Sequence, residues 1–341
     1  MRGSKLVLFV TGLCKRECYY CPISEKRGGK DKSWANEAAV TSPDDIINEA
    51  ERMRALGAGI TGGEPAVCLE RALGYMGLLK EHFDPFHIHM YTAEPLDKAS
   101  LERLREAGLD ELRFHLLEPS IWKSVEGAVS LGIETGIEVP AIPGHGASIV
   151  KIAKRLKAAG GSFLNLNELE FSDTNAAEFK KRGYMLKSEL SYAVDGSEKT
   201  AKNVQNSLED LDLMVHYCPS GFKDRVQLKR RLLRTAKNVK RDFEEVSDDG
   251  LLLKGVIVPM SLETDLASLR INLIDTFEIP QNLIAIDAEK MRIETTQEIA
   301  EALSHRKGFK CFLVEEYPTR DRLETDVIPL SQQPDQLKYE K

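Results

Sequence analysis

The chain has 341 residues, 42% of them hydrophobic and 30% charged, which describes a soluble globular protein that builds its own core without an external staple. Its net charge of −7 gives no global field toward an anionic polymer, so contact with nucleic acid would need a local basic patch. The opening MRGSKLVLFV passes at once into polar, cysteine-bearing sequence and no apolar run approaches the ~20 residues of a membrane span, so a cytoplasmic protein with no membrane partner is expected, in a compartment where clustered thiols serve as metal ligands or catalytic groups rather than disulfides.

In chain order, the strand-like runs are KLVLFV (5–10), AGIT (58–61), HIHMYT (87–92), ELRFHLL (111–117), IETGIEVP (133–140) and SFLNLNELEF (162–171). Helical periodicity falls between them. The helix over 42–57 opens with Ser42, Pro43 and two aspartates and stops at Gly57. Further helices are expected over 68–83, 98–108, 119–132 and 148–161, most ending near a glycine. Six strands, each followed by a helix, describe a parallel sheet with right-handed crossovers, either doubly wound or an incomplete β/α barrel. Several strands alternate instead of running apolar throughout. Arg113 and His115 share one face of their strand, Glu134, Gly136 and Glu138 one face of the next, and Asn165 and Asn167 one face of the sixth. With the apolar faces against helices, these polar faces converge inside a barrel, an arrangement suited to a polar ligand.

The pattern breaks over 173–250. A polar helix (198–214) precedes a basic one (222–243) that carries Arg230, Arg231 and Arg234. That helix is either a phosphate-facing surface for RNA or a phosphorylated substrate, or a solvated amphipathic helix packed through Val226, Leu228, Leu232 and Leu233. Residues 251–317 run β-α-β-β-α-β, the ferredoxin-like order. The expected organisation is therefore 1–190 a β/α barrel, 191–248 a helical basic connecting segment, 249–320 a ferredoxin-like α+β domain, and 321–341 a polar C-terminal arm.

Half of the six cysteines lie within eight positions, in CKRECYYC: Cys14, Cys18 and Cys21. Structural zinc takes four closed ligands, and only three are local here. Three thiolates at this spacing suit an iron–sulfur cubane with one iron left without a protein ligand. Cys68 and Cys311 read as small buried hydrophobes. Cys218, in HYCPSGFKD, is either a packed loop cysteine or a catalytic thiol that donates or quenches a hydrogen atom. His87 and His89 read as structural.

CKRECYYC after a first strand resembles the CxxxCxxC signature of the radical S-adenosylmethionine (SAM) superfamily, and GITGGEP (59–65) after the second resembles its GGEP motif. The resemblance takes the sheet as a partial (β/α)6 TIM-like barrel. It implies a [4Fe–4S] cluster on Cys14, Cys18 and Cys21, with SAM chelating the fourth iron and a low-potential donor supplying the electron that cleaves SAM to a 5′-deoxyadenosyl radical. By the same resemblance Tyr20 packs beside the adenine, the carbonyls of Gly62, Gly63 and Glu64 receive the methionine amino group, Arg113 or His115 meets the SAM carboxylate, and Glu138 binds the ribose. Three substrate readings stand: modification of RNA such as tRNA, with the basic helix as contact; activation of a partner protein by making a glycyl radical, as in the pyruvate formate-lyase activating enzyme branch; and a non-catalytic, zinc-dependent RNA-binding protein.

Overall fold

The computed structural model describes residues 3–330, apart from positions 117 and 262 and the side chains of 223 and 224. The distal part of the expected polar arm, 331–341, lies outside the described residues. The chain divides into two compact units, Met1–Glu51 with Ala55–Leu228, and Arg52–Arg54 with Lys229–Lys341.

The first unit starts with β1 (Lys5–Phe9), the cysteine loop, and a short hairpin of β2 (Ser33–Ala35) and β3 (Ala38–Val40). Next come α1 (Pro43–Arg52), β4 (Gly57–Thr61), α2 (Leu69–His82), β5 (His87–Thr92), α3 (Lys98–Glu106), β6 (Glu111–Phe114), α4 (Ile121–Ser130) and β7 (Glu134–Pro140). It closes with α5 (Gly146–Ala158), β8 (Phe163–Asn167), α6 (Ala176–Lys181), the hairpin β9 (Leu186–Ser188) and β10 (Ser191–Val194), α7 (Ser197–Ser207) and β11 (Met214–Cys218). The main sheet runs β11-β8-β7-β6-β5-β4-β1-β2-β3. Its strands from β1 through β11 are parallel, and β2 and β3 add to the free edge of β1 antiparallel.

Period two governs the two faces of this sheet. Leu6, Leu8, Ile60, Ile88, Met90, Leu112, Phe114, Ile137, Leu164 and Leu166 are all fully buried, and each such side chain contributes roughly 1.5–3 kcal/mol of burial. The opposite face is polar. Glu138 stands opposite Asn165, which stands opposite His216; one step along, Pro140, Asn167 and Cys218 form the next row.

The end of the first unit departs from the sequence expectation. MVHYC is a seventh parallel strand rather than a loop, pairing β8 from Met214↔Phe163 to Cys218↔Asn167. Residues 191–228 therefore continue the first unit, and the expected connecting segment 191–248 is split at Leu228. The basic stretch expected as a helix over 222–243 is helical only as far as Val239: α8 (Ser220–Phe222), a π-helical turn (Lys223–Leu228) and α9 (Lys229–Val239), with Lys240 and Arg241 outside it.

In the second unit β12 (Glu245–Val246) and β13 (Leu252–Pro259) precede α10 (Leu266–Phe277), β14 (Ile284–Asp287), β15 (Arg292–Thr295), α11 (Gln297–Leu303), β16 (Phe309–Glu316) and β17 (Glu324–Pro329). The order β14-β15-β13-β16-β17 is antiparallel throughout. Ile257, Leu273, Ile293, Leu303 and Cys311 form its core. Part of the expected arm is thus a strand: β17 pairs β16 from Phe312↔Pro329 to Glu316↔Glu324, because the open edge of β16 offers unpaired backbone groups.

Candidate active site

The cysteine loop leaves the C-terminal end of β1 and is sewn to the end of β4 by backbone bonds. Val10 N donates to Thr61 O (2.8 Å), Gly63 N to Thr11 O (2.7 Å) and Glu64 N to Leu13 O (2.8 Å). The glycines are required by this approach. Gly62 has φ +156°, and a Cβ there would lie 2.5 Å from the Thr11 carbonyl oxygen; a Cβ on Gly63 would lie 2.5 Å from that of Leu13. The Glu64 side chain turns away from the loop. It is 1% exposed and accepts from Thr92 Oγ1 (2.8 Å), Ala93 N (2.7 Å) and Ala66 N (3.0 Å). Burial raises its pKa against these donors. Only its backbone remains for the expected ligand contact, and its carbonyl also accepts from Val67 N at 3.1 Å.

The loop is held from two further directions. Arg16 donates to Glu94 and to Glu118, each at 2.8 Å, beyond the ends of β5 and β6. From far along the chain, Thr174 Oγ1 donates to Cys21 O (3.2 Å), and Asn175 Nδ2 to Tyr20 O (3.3 Å). The three loop cysteines are free thiols, Cys14 exposed and Cys18 and Cys21 half-buried. Burial pushes the Cys14 and Cys18 thiols up, so a metal bound here displaces their protons.

Beside the loop, at the C-terminal ends of the strands, lies a cavity of about 190 Å³ lined by Tyr20, Pro22, Tyr91, His115, Glu138, Pro140, Asn167, Glu168, Leu169 and Glu170. His115 Nδ1 lies 3.0 Å from the Glu138 carbonyl oxygen, and its Nε2 2.7 Å from Tyr20 Oη. A carbonyl only accepts, so Nδ1 donates and Nε2 accepts the phenol proton. Burial lowers the His115 pKa, in keeping with this neutral tautomer. The Glu138 carboxylate accepts from Arg113 Nη1 (3.1 Å), Asn165 Nδ2 (3.0 Å) and Asn167 Nδ2 (2.8 Å). A carboxylate offers about four lone-pair sites, which leaves one for a hydroxyl in the cavity.

The structure thus brings Tyr20, His115 and Glu138 together beside Cys14, Cys18 and Cys21. It does not bring Arg113 to the cavity. That guanidinium is 8% exposed, lies between Glu111 and Glu138, and donates to Tyr91 Oη at 2.8 Å. Two carboxylates neutralise it, so it orients Glu138 rather than meeting a third carboxylate. Cys218 ends β11 half-buried, outside the residues lining this cavity, and its carbonyl accepts from Glu168 N at 2.9 Å. Cys68 donates to Asp31 Oδ1 at 3.8 Å, and Cys311 is 1% exposed. Of the basic trio, Arg230 is exposed and Arg231 half-buried. Arg234 donates through Nε to the Met53 carbonyl (2.9 Å) and through Nη2 to that of Arg54 (2.7 Å), which ties it to the backbone. Asn167 was legible only as part of a polar face. Tyr91, Glu168, Thr174 and Asn175 carried no sequence signal, because strand register and a distant segment bring them in.

Three thiols on a loop above a parallel α/β sheet, beside a polar cavity at the strand ends, are a donor set and a space that suit a metal cluster next to an organic ligand. Residues 8–121 match the model of the radical SAM superfamily, and residues 250–330 match that of a domain of unknown function. A Methanocaldococcus jannaschii protein, provisionally named a glycyl-radical enzyme activating enzyme, is 38% identical over 348 residues, covering 97% of this chain and 91% of that relative. The chain belongs to the radical SAM superfamily and is an enzyme of that kind, whose cofactors are SAM and an iron–sulfur cluster. Among solved structures, Streptococcus suis SuiB bound to S-adenosylmethionine aligns with a TM-score of 0.46 at 11% identity, over 64% of this chain and 51% of that one. Native anSMEcpe with bound AdoMet aligns with a TM-score of 0.42 at 15% identity, over 72% of each chain. The chain spans about half the length of SuiB. Among the described residues no helix is long and apolar enough to cross a membrane.

Proposed function

We propose that this chain is an activating enzyme that abstracts a hydrogen atom from a glycine of a partner protein, with SAM as the radical source. The observation that carries the SAM site is the cavity, whose polar wall of Tyr20, His115, Glu138 and Asn167 abuts a loop bearing three free thiols. The donor set fits the cluster: Cys14, Cys18 and Cys21 supply three thiolates, the composition of a [4Fe–4S] site with one open iron. Such a cluster, when reduced, supplies the electron that splits SAM into methionine and a 5′-deoxyadenosyl radical.

The chain's own residues bind and orient. The Gly62 and Gly63 carbonyls stand at the loop's base to accept from the methionine amino group. Glu138, held by Arg113, Asn165 and Asn167, directs its remaining lone pair at a ribose hydroxyl. The His115–Tyr20 bond fixes the phenol ring against the adenine. In this reading the sheet is an incomplete TIM-like barrel, which its consecutive parallel strand order supports, and the second unit is a ferredoxin-like domain with an added edge strand.

A protein rather than RNA substrate is favoured by the name of the M. jannaschii relative, the acidic net charge and the anchored Arg234. The test is anaerobic incubation of the reconstituted enzyme with SAM, a reductant and proteome from cells grown on deuterated glycine. Abstraction gives deuterium in 5′-deoxyadenosine and a glycyl radical on the partner. Deuterium transfer that survives nuclease and is lost with protease supports the proposal; 5′-deoxyadenosine without deuterium, or transfer lost with nuclease, overturns it. Alanine at any of the three loop cysteines abolishes 5′-deoxyadenosine release.

A further inference from the structure

The parallel strands carry a second polar cluster at their other end. His87 opens β5, Glu111 opens β6 and Glu134 opens β7, with Glu111 and Glu134 in register. One ligand atom from each lies within 4.8 Å of the other two. Glu134 and Glu138 are four residues apart on β7, so this cluster lies roughly 13 Å from the cavity wall at ~3.3 Å per residue. No step of the proposed reaction uses it.

We infer that His87, Glu111 and Glu134 form a binding site for a divalent first-row transition metal ion, separate from the cysteine loop. One imidazole and two carboxylates are a borderline-to-hard donor set of the kind that takes zinc and its neighbours while leaving positions for water. Glu111 is 5% exposed and gives Oε1 to Arg113, while Oε2 faces His87 Nε2 at 3.6 Å. That gap exceeds a hydrogen bond and is near the separation of two ligands on one ion. The imidazole is already oriented from its other edge: Lys5 Nζ lies 2.6 Å from His87 Nδ1 and 2.9 Å from His89 Nδ1. Lys5 reaches across Gly57, which shares its row with Lys5 and His87 and has no side chain to block it. Such an outer partner fixes the ring of a metal-bound histidine. At rest the Lys5 ammonium donates to Nδ1 and the ring hydrogen sits on Nε2; with an ion on Nε2 the ring hydrogen moves to Nδ1 and Lys5 accepts it as the neutral amine, so uptake releases one proton. Glu134 is exposed and His87 half-buried, which gives the ion an entry path from solvent.

The test uses untagged holoenzyme with its iron–sulfur cluster in place, dialysed to equilibrium against Zn2+, with zinc and iron counted by mass spectrometry. One zinc per chain beyond the iron is expected, with binding weakened at least about tenfold in His87→Ala and in Glu134→Gln while the iron count stays the same. Glu134→Gln changes only an exposed side chain, so it reads out the site even where His87→Ala fails to fold. Absence of the extra zinc in the parent enzyme, or its retention in Glu134→Gln, overturns the site.

Discussion

Replacing Glu138 by alanine tests the cavity most directly. In the folded protein its carboxylate accepts three hydrogen bonds, from Arg113, Asn165 and Asn167. Removing it leaves Arg113 paired with Glu111 and bonded to Tyr91, and leaves two amides beside a cavity that admits water. The stability cost is therefore modest, about 1–3 kcal/mol. The binding cost is separate. A ribose hydroxyl on an ionised carboxylate is worth ~1.5–3 kcal/mol, so SAM affinity falls about 10- to 150-fold. Glu138→Gln keeps the shape and one acceptor oxygen; a neutral bond is about half as strong as a charge-assisted one, so its loss is smaller. Equilibrium dialysis of SAM against anaerobically reconstituted protein measures both, with iron content and melting temperature as controls. If Glu138→Ala binds SAM within twofold of the parent while keeping its iron, the ribose assignment is wrong and the polar wall serves another ligand.

Gly63→Ala places a methyl 2.5 Å from the Leu13 carbonyl; backbone must move, and iron content after reconstitution falls well below that of Gly74→Ala, where a Cβ meets nothing within 4 Å. Burial lowers the pKa of His115 and His89 below the 6.5 of an unfolded histidine, so below pH 6.5 the unfolded chain binds more protons than the folded one. Their contribution to stability is whole above that pH and is lost as pH falls toward the folded values, with a limiting slope of about 1.4 kcal/mol per pH unit for each histidine; urea melts of His115→Phe between pH 6.5 and 5 are shallower in pH than those of the parent, and identical slopes refute this. In the second unit Lys254 Nζ lies 2.6 Å from Glu294 and 2.9 Å from Glu316, with all three side chains at most 3% exposed. Lys254→Met leaves two buried carboxylates short of a cation and costs roughly 3–5 kcal/mol, seen as a lower urea midpoint; an unchanged midpoint means that the neighbouring arginines compensate.

What the sequence carried plainly were features written in local spacing. The cysteine trio, the glycine pair at 62–63 and the alternation in ELRFHLL and IETGIEVP are all short-range patterns, and the fold keeps them. Features that depend on which strand lies beside which were not legible. Arg113 has the residue type of a ligand for a carboxylate; Glu111 shares its face two residues back on β6, but Glu138 becomes its second partner only once β6 and β7 pair with Arg113 opposite Gly136. β11 was hidden because an edge strand is half-exposed: MVHYC has no fully buried residue to mark its inner face. The hairpin of β2 and β3 is two three-residue strands, too short for periodicity to register.

The same comparison changes what the glycine motif is for. Read as sequence, GITGGEP is a ligand-facing turn, and the cysteine loop is a separate metal-binding segment. In the fold they are one object, since Gly63 N and Glu64 N donate to Thr11 and Leu13 in the loop itself. The glycines are needed for backbone to meet backbone there before any ligand arrives, and Glu64 locks the far side of the turn to β5 through Thr92 and Ala93. The thiolates are thereby referenced to β1, β4 and β5 at once, and through Tyr20 and His115 to β6 and β7. A mutation that loosens this seam should therefore lower cluster occupancy and SAM affinity together, whereas Glu138→Ala, acting from the other wall, should lower SAM affinity alone.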